Sequence, residues 1–333
     1  MKVGYAVLYI DGTLVISKNH TLLQKRIIKD YGEFEDTNVP WKKESIQIKK
    51  IQILDYVKSS CTKEWFINCL NLKTLINFQN LDVSDCTDFS RMFASCKSLQ
   101  NLNGLETWNV SKGIDFSFMF YNCQSLRTLN GLQTWNVSNS TKFSYMFASC
   151  ESLKIINELQ NWNVENGTDF SFMFNSCKSL QNLNSLQIWN VSKGINFSFM
   201  FRYCESLQGL NELQKWNVSN GLDFSSMFAY CISLQNINAL HNWNVSNGTD
   251  FSRMFASCRS LQNLNGLQNW NVSNGTDFSR MFFYCKSLQK ISLSNTLDIL
   301  TKMMFYKCNP KLKIHWRKHI YTYEDLLEYE KIS

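Results

Sequence analysis

Nine cysteines, Cys69, Cys96, Cys123, Cys150, Cys177, Cys204, Cys231, Cys258 and Cys285, follow one another at an unvarying interval of 27 residues. Seven tryptophans, Trp108, Trp135, Trp162, Trp189, Trp216, Trp243 and Trp270, keep the same interval. A strict period of this length restricts the chain to a stacked repeat. One unit cannot bury its own apolar face, so the next unit must cover it, and like residues then lie against like. The unit reads W-N-V-S-x-x-x-x-F-S-x-M-F-x-x-C-x-S-L-x-x-(L/I)-N-x-L. Its Phe, Met, Cys, Leu and Trp columns are the expected core. The composition is sufficient for one, with 44% hydrophobic and 14% aromatic residues in a chain of 333.

Inside the unit the apolar spacing changes character. Phe89, Met92, Phe93 and Cys96 stand at i, i+3, i+4 and i+7, which predicts a short helix over 89–96 with Thr87 and Asp88 as cap residues. Leu99, Leu102, Leu105, Trp108 and Val110 follow at spacings of three and two, which predicts a short strand within 102–110. The expected fold class is therefore an α/β repeat solenoid of leucine-rich type, with one short strand and one short helix in each 27-residue coil. The Asn column (Asn103, Asn130, Asn157, Asn184, Asn211, Asn238, Asn265) is expected to hydrogen-bond backbone groups of the turns. Both prolines, Pro40 and Pro310, fall outside the regular array, as an uninterrupted backbone ladder requires.

The flanks read differently. Val3, Tyr5, Val7 and Tyr9 alternate, Asp11-Gly12 is a two-residue turn signal, and residues 13–17 are β-branched and apolar, which predicts a β-hairpin. Alternating Ile over 46–54 predicts a strand leading into the array. Trp65-Phe66-x-x-Cys69 opens the array, and Met304-Phe305-x-x-Cys308 closes it after a shortened interval. The expected organisation is a hairpin and helix cap region over 1–60, a solenoid of about ten coils over 61–308 and a cap over 309–333, the caps shielding the ends of the core. The formal charge of +7 belongs to the ends, since 61–285 holds 15 basic and 15 acidic residues. A surface that binds nucleic acid would be lined with Lys and Arg, so no nucleic-acid partner is expected. Residues 1–10 lack a signal-peptide cleavage site, and no run of 18 apolar residues occurs, so a cytoplasmic protein without a membrane span is expected.

The W-N-V-S-N-x-T-D-F-S-x-M-F-x-x-C-x-S-L unit resembles the BspA-like leucine-rich repeat family, in the Met-Phe-x-x-Cys variant described as a domain of unknown function in mycoplasma surface proteins. The resemblance covers residues 62–308. It implies a solenoid without an enzymatic site and, by analogy with family members at bacterial surfaces, an adhesin role as the alternative to an intracellular scaffold. An array of this composition also resembles the members found in large DNA viruses, which in an infected cell would place it in the host cytoplasm.

Among candidate sites, the cysteine ladder (Cys96, Cys123, Cys150, Cys177, Cys204, Cys231, Cys258, Cys285) reads as structural. Parallel side chains suit disulfides badly, and the short Cys/His spacings of zinc sites are missing, so neither a metal nor a cofactor is expected. The Asp column (Asp88, Asp115, Asp169, Asp223, Asp250, Asp277) reads as capping. The Asn-x-Ser/Thr triplets at Asn109, Asn136, Asn166, Asn190, Asn217, Asn244, Asn247, Asn271 and Asn274 read as turn chemistry. No nucleophile is paired with a histidine at a repeated place, so no enzyme is expected. The informative column lies between Ser and Met: Arg91, Phe118, Tyr145, Phe172, Phe199, Ser226, Arg253, Arg280. Four successive aromatics bordered by arginines match the composition of a protein-binding hot spot. Arg202, Tyr203, Tyr230 and Tyr284 form a second variable stripe. The competing reading is that the rings only stack on one another. The expected function is a protein–protein interaction scaffold, with self-association as a third reading.

Overall fold

A computed structural model describes residues 1–293, 303–316, 319–325 and 328. The chain divides into two compact units, Met1–Val164 and Glu165–Ser333. Parts of the expected cap over 309–333, namely 317–318, 326–327 and 329–333, lie outside the described residues, as does 294–302 ahead of the closing coil.

The amino-terminal unit begins with strands β1 (Lys2–Tyr9), β2 (Thr13–Ser17) and β3 (Ile27–Glu35). A 3-10 segment over Pro40–Gln47 precedes β4 (Lys50–Ile53), β5 (Val57–Lys58), β6 (Thr74–Ile76) and β7 (Leu81–Asp82). The expected hairpin is present: β1 and β2 pair antiparallel, with Tyr5 opposite Ser17 and Leu8 opposite Leu14. Their sheet runs β3-β1-β2-β4-β6, and β2, β4 and β6 pair in parallel. The hairpin is thereby continuous, by backbone bonds, with the strands of the first coils. Both faces of β1 are covered. On one of them, Val7, Tyr9 and Val15 form a small cluster with Leu23 and Leu54, and Leu23 N–H donates to the Tyr9 hydroxyl at 2.8 Å.

From Trp65 onward the coil is built in three-residue steps. Backbone N–H groups of Met92, Cys96, Leu99, Leu105, Trp108 and Gly113 donate to the carbonyls three residues back, at 2.8–3.2 Å. Each such turn brings the next apolar side chain back to the axis, which is why the apolar spacing is three. Phe89, Met92, Phe93, Cys96, Leu99, Leu102, Leu105, Trp108 and Val110 are all buried.

Residues 89–96 are not the expected helix. Arg91 and Ser95 are left-handed (φ 57° and 63°), as are their counterparts in every described coil. A left-handed residue at the third place of a turn is the type II signature and breaks any helix. Apolar residues at i, i+3, i+4 and i+7 satisfy either geometry. What separates the two is the destination of the alternate N–H groups. Phe89, Arg91, Phe93 and Ser95 donate to Asp115, Ser117, Met119 and Tyr121 in the next coil, at 2.6–3.0 Å. The short helix of the coil lies elsewhere, as 3-10 turns over Leu105–Thr107 and Asn157–Leu159 in the first unit, and Asn184–Leu186, Asn211–Lys215, Asn238–Asn242 and Asn265–Leu267 in the second.

The strand expected within 102–110 is likewise displaced. The N–H groups of Leu105 and Trp108 are consumed inside the coil. Parallel pairing is instead one residue wide at the Asp column: Asp88 with Asp115 and Asp115 with Lys142, then Asn196 with Asp223, Asp223 with Asp250 and Asp250 with Asp277. The class of fold is nonetheless the expected one, a repeat solenoid of 27-residue coils. The second unit closes with β8 (Lys290–Leu293), β9 (Lys313–Trp316) and β10 (His319–Thr322), in the order β10-β9-β8. The closing copy stacks as expected, with Phe305 on Phe282 at 5.4 Å.

Polar groups of the core columns satisfy the backbone of the preceding coil. The indole N–H of Trp135 reaches Leu105 O, that of Trp216 reaches Leu186 O and that of Trp243 reaches Leu213 O, at 2.8–2.9 Å. The Cys123 thiol reaches Phe93 O at 3.3 Å and that of Cys231 reaches Phe201 O at 3.2 Å. The expected role of the Asn column at 103 and its counterparts is not met: these residues are exposed. Short side chains elsewhere cap the turns. Asp88, Asp115, Asp223 and Asp250 accept the N–H of the residue two places on, at 2.8–2.9 Å, and Asn109, Asn136, Asn217 and Asn244 do the same for the following serines at 3.1 Å. Asp and Asn suit this because their oxygen lies within reach of a backbone N–H two residues ahead.

Candidate interaction face

The variable column occupies the left-handed position of every coil. Phe118, Tyr145, Phe172, Phe199, Arg253 and Arg280 have φ of 54–60°. A second left-handed position four residues on holds Ser95, Asn122, Ser149, Ser176, Tyr203, Tyr230, Ser257 and Tyr284. Left-handed backbone costs an L-residue about 1–2 kcal/mol, and glycine escapes the penalty. None of the chain's 13 glycines stands at either position. No Val, Ile or Thr stands there either, in keeping with the still higher cost for β-branched side chains.

In the first unit Phe118 and Tyr145 stack at 4.3 Å with planes 8° apart, and Tyr121 meets both edge-on. The Arg91 guanidinium lies 4.8 Å over the Phe118 ring. In the second unit Phe172 stacks on Phe199 at 4.2 Å, and Tyr203 on Tyr230 at 4.4 Å. Arg202 lies over Phe199, Tyr203 and Tyr230 at 4.6–5.4 Å. Tyr284 carries Arg259 and Lys286 at 5.0 and 4.6 Å. The aromatic and arginine residues therefore do stack, yet Phe118, Tyr145, Phe172 and Phe199 stay half-exposed, while the Phe and Met columns beside them are buried.

Where Ser226 replaces a ring and Ala256 sits small in the neighbouring column, the second unit is hollowed. A cleft of about 370 Å³ opens there, walled by Phe199, Tyr230 and Phe283 and by Arg202, Arg253 and Arg280. Ser226 was visible in the sequence as a break in the column. Phe283 and Ala256 were missed, although the column that follows Met-Phe, with Tyr121, Arg202 and Phe283 among small residues, varies just as visibly.

The remaining candidates are structural in their geometry. Every cysteine of the ladder is buried, and burial pushes the thiols of Cys150 and Cys231 up to about 12 and those of Cys204 and Cys258 well above their usual value. His241 holds the Asn238 carbonyl at 2.8 Å. Among the described residues no group of three or more His, Cys, Asp or Glu is placed to hold a metal, and no helix is long and apolar enough to cross a membrane.

The fold and its face define a repeat protein of leucine-rich type. The chain belongs to the family described as Mycoplasma protein of unknown function, DUF285, whose profile matches residues 39–156, 127–237 and 205–315. Among solved structures it is similar to a leucine-rich cell surface protein from Faecalibacterium prausnitzii (16% identity, 96% and 95% of the two chains covered, TM-score 0.43). Leucine-rich repeat proteins from Eubacterium ventriosum (13%, 91% and 92%, 0.35) and Bacteroides ovatus (16%, 96% and 99%, 0.27) are also similar. No curated protein matches the sequence.

Proposed function

We propose that the protein is a non-enzymatic interaction scaffold that presents the aromatic and arginine side chains of its left-handed columns to a protein partner. The observation that carries the reading is the choice of residue at a position where the backbone favours glycine. Ser226 shows that a small residue is accommodated there, yet the chain places large rings and guanidinium groups at Phe118, Tyr145, Phe172, Phe199, Arg91, Arg253 and Arg280. Stacking between neighbouring rings contributes about 0.5–1.5 kcal/mol per pair, which only partly offsets the backbone cost. Half-exposed aromatics bordered by arginine are the composition of binding hot spots, and they support contact with a protein surface.

The test replaces Phe118, Tyr145, Phe172 and Phe199 together by serine in the full chain and recovers the cross-linked partner from the native source. The expected result is loss of the partner with an unchanged far-ultraviolet spectrum and a cooperative melt. Retention of the partner by the folded variant overturns the reading.

A further inference from the structure

Arg253 and Arg280 occupy the same left-handed position in consecutive coils. At a ladder spacing of about 4.8 Å their backbones set two like charges side by side, an arrangement that destabilises a stack unless something lies between them. Nothing in the described chain does. Among the described residues the Arg253 guanidinium makes no hydrogen bond, ion pair or ring contact, and Arg280 reaches only the Met303 sulfur, at 3.5 Å. Across the cleft Arg202 holds a buried Nε with no acceptor. An unpaired buried donor costs about 1–3 kcal/mol, and more when it is charged. Asp223, Asp250 and Asp277 accept the N–H groups of Ser225, Ser252 and Ser279 at 2.7–2.8 Å, and among the described residues none of them pairs with these arginines. In the first unit, by contrast, Lys63 pairs with Asp88 at 3.2 Å and Lys142 with Asp115 at 3.6 Å. Arg202, Arg253 and Arg280 have no such carboxylate partner among the described residues.

We propose that this cleft binds an acidic peptide segment of a partner protein, with Asp or Glu carboxylates on Arg202, Arg253 and Arg280 and an apolar side chain of the segment between Phe199 and Tyr230. The inference rests on the scaffold reading and names the partner's chemistry. Three arginines without carboxylate partners leave room for several negative charges on a ligand. Arg202 and Arg280 lie three coils apart in the repeat, so their backbones are separated by about 14 Å along the stack, which an extended peptide covers in about four residues at about 3.3 Å each. A single phosphoryl group does not span that distance. A nucleic acid is disfavoured because the array as a whole is charge-balanced.

The experiment measures fluorescence anisotropy of a short labelled peptide alternating glutamate with phenylalanine, against its counterpart with glutamine in place of glutamate, using the full chain. The glutamate peptide is expected to bind, with affinity falling about tenfold, or about 1.4 kcal/mol, in the double variant Arg253→Ser and Arg280→Ser, and falling again with added salt. Serine stands at the equivalent position 226, and a second pair, Arg253→Gly and Arg280→Gly, keeps the test independent of either substitution's effect on folding. Failure of the glutamate peptide to bind overturns the proposal. So does equal binding of the glutamine peptide, an unchanged affinity in the folded double variants, or tighter binding of a single-stranded oligodeoxythymidylate. If peptide binding fails while the four-serine variant still loses its native partner, this inference falls and the scaffold reading stands. If that variant keeps its partner, the scaffold reading falls whatever the peptide does.

Discussion

A side chain in this protein is constrained by its own backbone before it meets any neighbour. Ser95 stands at the second left-handed position with φ of 63°, away from the cleft, and its N–H donates to Tyr121 O. Ser95→Gly is expected to leave the melting temperature unchanged or raise it, because relief of left-handed strain offsets the added freedom of the unfolded chain. Ser95→Val is expected to cost about 1–2 kcal/mol more than Ser95→Gly, read from denaturant midpoints of the two variants. The buried thiols give a second expectation at this scale. With a pKa of about 12, Cys150 and Cys231 carry about one thiolate in ten thousand at pH 8, and neither is exposed to reagent. Brief iodoacetamide treatment of the native chain is expected to label Cys61, which is partly exposed, and to spare the ladder. Mass spectrometry of the peptides decides, and rapid labelling of Cys150 or Cys231 in the folded chain would sink the buried-ladder account.

At the scale of the coil, the Trp and Cys columns do two jobs, filling the core and donating to carbonyls that have no strand partner. Trp243→Phe keeps an aromatic ring but removes the indole bond to Leu213 O, which retains the Trp216 N–H, so it is expected to destabilise by about 0.5–1.5 kcal/mol in urea unfolding. An undiminished midpoint would mean that the indole bond contributes nothing. The same element shows what could be read from sequence. The period, the buried columns, the hairpin at Asp11-Gly12 and the capping Asp column were all legible, because each depends on residue type at fixed spacing. The helix placed over 89–96 was not there, since the apolar pattern of Phe89, Met92, Phe93 and Cys96 fits a chain of type II turns equally well. The deciding signal was negative: Arg91, Phe118 and Tyr145, together with Ser95, Asn122 and Ser149, avoid β-branched residues. The expected strand and the Asn column failed for a related reason. Leu105 N–H and Trp108 N–H close turns within the coil, and the Asp column supplies the parallel bridges. The cleft was partly legible, through Ser226 and the arginines, but its depth depends on Ala256 and Phe283 in a column the repeat pattern does not single out.

For the whole molecule, like positions stack on like, so length can change only in whole coils. Removing residues 124–150, one full period, joins Cys123 to Glu151 and returns Phe, Met, Cys, Leu and Trp to their columns, because Ser152 then takes the place of Ser125. Stability in such stacks is close to a sum of coil terms and nearest-neighbour terms, so the loss should be about 1–4 kcal/mol, taking about 0.05–0.15 kcal/mol per residue over the deleted coil. Removing only residues 124–136 sets the following Met-Phe-x-x-Cys run against the wrong part of its neighbour. It strands the bonds by which Phe116, Phe118 and Phe120 N–H reach Lys142, Ser144 and Met146 O. The shorter deletion is therefore expected to do the greater damage. In thermal melts followed by tryptophan fluorescence, the full-period variant should keep a single cooperative transition, and the half-period variant should lose it or melt far lower. Equal melting of the two would mean that the columns do not hold the coils in register.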